Sequence, residues 1–313
     1  MSTPETIDAA TQLEHLTMAV ELSRVAVPDV LLPEDGFLAV GGVRLHYLDW
    51  GDPGGRPILF LHGARLSAHT WDVVCLALRN RYRCIALDAR GHGDSDWADL
   101  EGYTAENHVG DVEGVVEQLG LDQFVLVGHS MGGGTALAYA GRHAAKLKAL
   151  VIVDTGPAER PGVMRPGVQR MHDFVNGPAE FETLEEVVER ALAFNPARDR
   201  RLLRRSLLNN MRRLPNGHWA WKYHREGLGR RSPDQMEARR QMLLDAVPRI
   251  SCPTLVLRGG ISDMFTDEDA ARLAAQLPDG RWHMVPNAGH TIQGDNPKGL
   301  LEALEPFLTE VGA

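Results

Sequence analysis

The residues with the clearest chemical potential lie in FVLVGHSMGG, residues 124–133. An apolar run enters Gly128-His129-Ser130-Met131-Gly132 and a helix-forming stretch, GTALAYAGRH, follows. In a G-x-S-x-G pattern the serine occupies a strained strand-to-helix turn, and the flanking glycines relieve crowding there. The turn exposes the Ser130 hydroxyl at the sheet edge, above a helix N-terminus that favours developing negative charge. A serine hydroxyl is a weak nucleophile at neutral pH, so it needs a base and a carboxylate that orients the base. The expected chain order is serine, acid, histidine. His290, in VPNAGHTIQGDNP, follows the last apolar run on a glycine-containing loop and is the expected base. Asp263, in TLVLRGGISDMF, follows the preceding run and is the expected acid. Asp154, at the end of VIVD, is the rival, with capping of the next turn as its ordinary role. Asp267 and Asp269 read as the first turn of the next helix.

Acyl transfer also requires two backbone N–H groups aimed at the tetrahedral oxygen. Met131, after the nucleophile, supplies one. Ala64, in the His62-Gly63-Ala64-Arg65 loop after ILFLHG, is expected to supply the other. Arg65 is placed either to touch a substrate carboxylate or to form an ordinary salt bridge. His62 and His129 read as hydrogen-bonding struts, with a second base as the alternative. HWAWKYHRE holds Trp219, Trp221, Tyr223 and His224, which either line a pocket or pack one part of the protein on another. Met131, Phe174, Phe194 and Met264 are further pocket candidates.

The elements that must position these groups are short. Apolar runs at 58–61, 84–87, 124–127, 149–153, 254–257 and 282–285 are bounded by Gly, Pro or Asp and alternate with helical stretches. Such runs suit strands buried on both faces of a mostly parallel sheet. Runs at 37–40 and 43–49 meet at Gly41-Gly42, a hairpin signal. Residues 156–245 show no convincing buried strand, and read as a helical cap over the carboxyl edge of the sheet. This interval has 17 Lys and Arg against 12 Asp and Glu, whereas the whole chain carries −9. Its arginines in DRRLLRRS and EARRQ read as solvated helix faces, with attraction of an anionic substrate as the alternative. The expected organisation is an N-terminal helical extension over 1–36, a core over 37–155 and 246–313, and a cap over 156–245. The extension opens with a Ser2–Glu5 capping box and an apolar stripe that packs on the body or on a partner subunit.

The 313 residues are 43% hydrophobic and 24% charged, which excludes disordered and low-complexity architectures. A net charge of −9 argues against a general nucleic-acid binder. No apolar run is long enough for a membrane span, and the first residues lack a signal-peptide core. A soluble, cytoplasmic protein without nucleic-acid or membrane partners is expected, as monomer or homodimer. Cys75, Cys84 and Cys252 are too few for a disulfide framework, are not spaced for zinc, and read as buried small hydrophobes.

LHGARLSAHTWD (61–72), LDARGHGDSD (87–96), GHSMGG (128–133), RGGISD (258–263) and NAGHT (287–291) together resemble the α/β-hydrolase superfamily across residues 37–310. The resemblance implies an eight-stranded, mostly parallel, doubly wound sheet with a cap inserted after the sixth strand. It implies Ser-His-Asp chemistry with no cofactor and no metal. Asp88, Arg90, His92, Asp94 and Asp96 could suggest a metal cluster, but in the family that loop is structural. A serine nucleophile argues against the family's epoxide hydrolases and haloalkane dehalogenases. Thr291 after His290 and His129 before Ser130 depart from its carbon–carbon hydrolases, which usually carry Trp and often Asn there. A GGSWG elbow, typical of its proline iminopeptidases, is absent. The expected function is hydrolysis of a small-molecule carboxylic ester or lactone, with an anionic ester among the candidates. Carbon–carbon or amide and enamide hydrolysis is the runner-up, and a hydrolase-fold ligand receptor the alternative of another class.

Overall fold

The computed structural model describes residues 8–157, 167, 169–170, 177–194, 198–229 and 232–313. Eight strands form the main sheet: β1 (Glu34–Val40), β2 (Val43–Trp50), β3 (Arg56–Leu61), β4 (Tyr82–Leu87), β5 (Phe124–His129), β6 (Leu147–Val153), β10 (Thr254–Gly259) and β11 (Gly280–Val285). Their order is β1-β2-β4-β3-β5-β6-β10-β11. β1 pairs antiparallel with β2, and β2 with β4; the remaining neighbours are parallel. Gly41 and Gly42 turn β1 into β2 with φ of 55° and 78°, a conformation that excludes most side chains.

The apolar runs divide by alternation between two cores. Val125 and Val127 of β5 face one core, while Phe124 and Leu126 face the other. The first core lies under helices α1 (Ala9–Ser23), α2 (Asp72–Leu78) and α10 (Pro297–Glu310). The second lies under α3 (Ala105–Gln118), α4 (Met131–His143) and α9 (Asp267–Gln276). Each fully buried Leu, Ile or Val contributes about 1.5–3 kcal/mol, so both faces of the sheet are firmly held. Helix α1 packs on the body through Leu16, Ala19 and Val20, with Asp8 as its N-cap. The Ser2–Glu5 capping box lies outside the described residues. All three cysteines are buried and free.

Between β6 and β10 the chain forms helices α5 (Leu184–Phe194), α6 (Arg200–Asn210), α7 (Arg225–Leu228) and α8 (Pro233–Ala246). A small antiparallel sheet joins them, in the order β7 (Glu180–Phe181), β9 (Trp219–Trp221), β8 (Met211–Arg213). The expectation of a purely helical cap is thus corrected. Strands of two or three residues are too short to show alternation, and Met211, Trp221 and Phe181 join a separate apolar cluster with Val187, Val188 and Leu207.

Polar contacts fasten this layer to the core. Arg205 pairs with buried Asp72. Lys222 reaches Asp94 at 2.8 Å, and Trp97 donates its indole N–H to the Lys222 carbonyl at 3.0 Å. His224 stacks on Trp97 at 4.5 Å and hydrogen-bonds the Tyr103 hydroxyl at 2.8 Å. Arg200, Arg201 and Arg204 of DRRLLRRS are exposed and paired with Glu185, Glu189 and Asp199. They are solvated ion pairs that contribute little each. Among the described residues, no helix is long and apolar enough to cross a membrane.

Candidate active site

Ser130 follows β5 and precedes α4 with φ 52° and ψ −108°, the strained turn that its motif implies. Its own N–H donates to the Val153 carbonyl at 3.1 Å, which ties the turn to β6. The flanking glycines are required by close approach. A Cβ on Gly128 would lie 2.5 Å from the Gly132 carbonyl oxygen, and one on Gly132 would lie 2.6 Å from the carbonyl oxygens of His62 and Leu61.

His290 Nε2 lies 2.9 Å from Ser130 Oγ, and His290 Nδ1 lies 2.8 Å from Asp154 Oδ2. The carboxylate at the histidine is therefore Asp154, and the expectation of Asp263 is corrected. β6 lies between β5 and β10, so its end sits directly beside the elbow. Asp154 leaves β6 with φ 52°, a turn that carries its side chain inward, and only 1% of the residue is exposed. Its Oδ1 accepts the Gly259 N–H at 2.8 Å and its Oδ2 accepts the Ser262 hydroxyl at 2.6 Å. In the turn after β10, the Ser262 N–H donates to the Gly259 carbonyl. That turn aims Ser262 at Asp154, and Asp263 points elsewhere, half-exposed and paired with Arg170.

Two neutral histidines brace the site. His129 donates from Nε2 to the His290 carbonyl at 2.8 Å and accepts from the Gln293 side chain at Nδ1, 3.2 Å away. Burial, reinforced by nearby His290, pushes its pKa well below the ordinary value. His62 donates from Nδ1 to the Gly63 carbonyl at 2.7 Å and accepts the Ala89 N–H at Nε2, 3.0 Å away. Burial lowers its pKa also. With both ring nitrogens engaged, these are struts and not second bases.

The first N–H of α4 belongs to Met131 and has no acceptor within the helix. The next N–H, from Gly132, bonds to the His62 carbonyl at 3.1 Å, so α4 and the loop carrying Ala64 share one frame. The Met131 side chain is buried away from Ser130, near Leu61 and Val112.

A cavity of about 250 Å³ opens onto Ser130 and His290. Of the expected pocket residues, Ala64, Arg65, His129, Trp221, Tyr223 and Met264 line it. Asp263 lines it too, paired with Arg170 rather than with His290. Trp219 does not; it shares the face of β9 that carries Trp221 and packs half-buried against the cap's apolar cluster. Phe174 and the Phe194 side chain lie outside the described residues. A larger cleft, about 600 Å³, between α3, α4 and α8 holds none of the chemical groups.

His46, Asp88 and Asp94 bring possible metal-ligating atoms within 4.8 Å of one another. Those atoms are already engaged. His46 bonds Asp88 at 2.7 Å and Asp35 at 2.9 Å, Asp88 accepts the N–H groups of Ala68 and Asp94, and Asp94 accepts Lys222. The donor set fits a hydrogen-bonded brace better than a metal centre.

Residues 56–297 match the family profile described as alpha/beta hydrolase fold, over three quarters of the chain. The chain belongs to the α/β-hydrolase family. This hydrolase is 32% identical over 310 residues to Esterase Rv0045c of Mycobacterium tuberculosis, covering 96% of this chain and 98% of that one. A crystal structure of that esterase superposes with a TM-score of 0.74 at 30% identity, covering 97% and 100% of the two chains. A 3-hydroxybutyrate-oligomer hydrolase of Cupriavidus necator is 27% identical over 84% of this hydrolase and 92% of its own length. The sequence marks Asp154 only as the rival acid, and it does not mark Ser262, Arg198 and Asp295, which also line the cavity. Ser262 stands next to Asp263 in the motif, so the motif is visible but not which of the two turns toward the carboxylate at the histidine. Arg198 and Asp295 carry no local signal.

Proposed function

We propose that this hydrolase cleaves a carboxylic ester of a small molecule, a lactone being the cyclic case, through an acyl-enzyme on Ser130. The observation that carries this is the continuous Ser130–His290–Asp154 hydrogen-bonded relay opening onto a cavity. His290 Nε2 takes the hydroxyl proton as Ser130 Oγ attacks the carbonyl carbon. Asp154 holds the Nδ1–H and stabilises the imidazolium that forms. The N–H groups of Met131 and Ala64 receive the oxyanion. The tetrahedral adduct collapses, and the alcohol leaves with the proton from His290. Water, deprotonated by the same Nε2, then attacks the acyl carbon and frees the acid and Ser130. The similarity to a protein named an esterase over nearly the full chain supports an ester as substrate.

The test is turnover of p-nitrophenyl esters of increasing acyl length by the wild type and by Ser130→Ala. The expected result is wild-type turnover that falls by roughly 10⁴-fold or more in the variant. A folded wild type inactive on the whole series would overturn the general ester reading.

A further inference from the structure

Among the described residues, three guanidinium groups line the cavity beside Ser130, from Arg65, Arg170 and Arg198. Two of them face carboxylates on the same walls. Arg170 pairs with Asp263, and Arg198 Nε lies 3.7 Å from Asp295 Oδ1. Arg65 differs. The groups that act on its charge are the Tyr223 hydroxyl, which hydrogen-bonds it, and the Arg225 guanidinium, which repels it. No carboxylate acts on it among the described residues. Its Nε is buried and lacks a hydrogen-bond partner among them. Burial therefore lowers its pKa from the ordinary arginine value. A guanidinium offers five donors in a fixed fork, and one withdrawn from water without a counter-charge is poorly compensated. Arg65 also has φ 66°, where glycine would be unstrained. It directly follows Ala64, so its side chain leaves the same loop that faces the reacting carbonyl.

We infer that Arg65 is the anchor for a carboxylate on the substrate, so that the preferred substrates are esters bearing a free carboxylate, such as half-esters of dicarboxylic acids. This inference rests on the ester-hydrolase reading of the same site. The ester C–O bond breaks, water supplies hydroxide to the acyl carbon and a proton to the departing alcohol, and no bond to Arg65 forms or breaks. The carboxylate completes the fork of Arg65, while Arg170 and Arg198 on the same cavity are already opposed by Asp263 and Asp295.

Two matched substrate pairs distinguish where the carboxylate sits. Monoethyl glutarate against ethyl pentanoate places it on the acyl side. 4-Carboxyphenyl butyrate against phenyl butyrate places it on the alcohol side. Each pair is assayed with the wild type, Arg65→Met and Arg65→Lys, and each variant is checked by thermal melting. The readout is the ratio of kcat/KM for the anionic over the neutral member. In at least one pair, Arg65→Met lowers this ratio by about 10- to 100-fold, the size of one lost charged hydrogen-bonded contact. Arg65→Lys retains part of the ratio, and high salt reduces it in the wild type. A ratio unchanged in both pairs, in variants that melt like the wild type, overturns the anchor while leaving ester hydrolysis intact. If the wild type hydrolyses none of the four, the ester reading fails instead. Calorimetric binding of glutarate against pentanoate then decides the anchor: preference for glutarate lost in Arg65→Met upholds it, and equal binding overturns it. Should Arg65→Met not fold, the same comparisons are made with Arg65→Lys.

Discussion

Two of the histidine–aspartate pairs, His46–Asp88 and His290–Asp154, are nearly identical in geometry and opposite in consequence. His46 meets Asp88 at 2.7 Å, and His290 meets Asp154 at 2.8 Å. The difference lies at the other ring nitrogen. His46 Nε2 faces a second carboxylate, Asp35, at 2.9 Å. Burial opposes a charge on His46, but hydrogen bonds to Asp35 and Asp88 overcome this and raise its pKa to about 9. It is a standing cation that braces the hairpin β1-β2 against the loop after β4. His290 Nε2 instead faces the Ser130 hydroxyl and the cavity. A histidine held between a carboxylate and a hydroxyl can take up and return a proton; one held between two carboxylates keeps its proton. The third partner, and not the pair, decides between catalysis and bracing.

The sharpest way to break this comparison is at Asp154. Asp154→Asn keeps the shape of the side chain but removes the charge that orients the histidine tautomer. Turnover is expected to fall by roughly 10⁴-fold, with KM little changed. Retained activity in steady-state assays would show that another group orients His290. At Ser262 the effect is smaller. Ser262→Ala removes one hydrogen bond to a buried carboxylate, and kcat is expected to drop about tenfold or somewhat more at constant KM, with Ser262→Thr recovering part of it.

The His46 pair predicts a change in stability. A folded-state pKa raised above the unfolded value contributes stability that is complete below about pH 6.5 and is lost as pH rises through about 9. The burial that opposes the charge on Asp88 is outweighed by His46, which holds that carboxyl well below its usual range, so its contribution is lost only in acid. The unfolding free energy from urea titrations should fall for the wild type by on the order of 2 kcal/mol between pH 7 and 10, and His46→Gln should be less stable at pH 7 with a flatter profile. The smallest effect is expected at Asp263. Asp263→Asn loosens a half-exposed ion pair with Arg170, so turnover of a neutral ester should stay within about threefold of the wild type. A loss comparable to that of Asp154→Asn would return Asp263 to the role of acid.

Much of the scaffold was legible in the chain itself. All six apolar runs became strands of the sheet; five are almost wholly apolar because they are buried on both faces, whereas 282–285 forms the edge strand β11 with Trp282, His283 and Met284 exposed. Ser130, His290 and the glycines around the elbow were legible because a strained turn tolerates few residue types. Asp154 and Asp263 were not separable, because each is an aspartate just past a buried strand. Which one reaches His290 depends on the sheet order β5-β6-β10, on the left-handed turn at Asp154, and on Ser262 filling the place beside it. The same holds for the arginines. The cluster around DRRLLRRS stood out by density, yet its arginines are paired, with Arg200, Arg201 and Arg204 exposed and Arg205 held against buried Asp72, whereas nothing local marks Arg65 as lacking a carboxylate among the described residues. Local sequence determined the strands, the elbow and the identity of nucleophile and base, since these follow from short-range periodicity and backbone sterics. Tertiary structure alone decided which carboxylate serves the histidine and which cation on the cavity meets no carboxylate among the described residues, since both depend on residues brought together from more than a hundred positions apart.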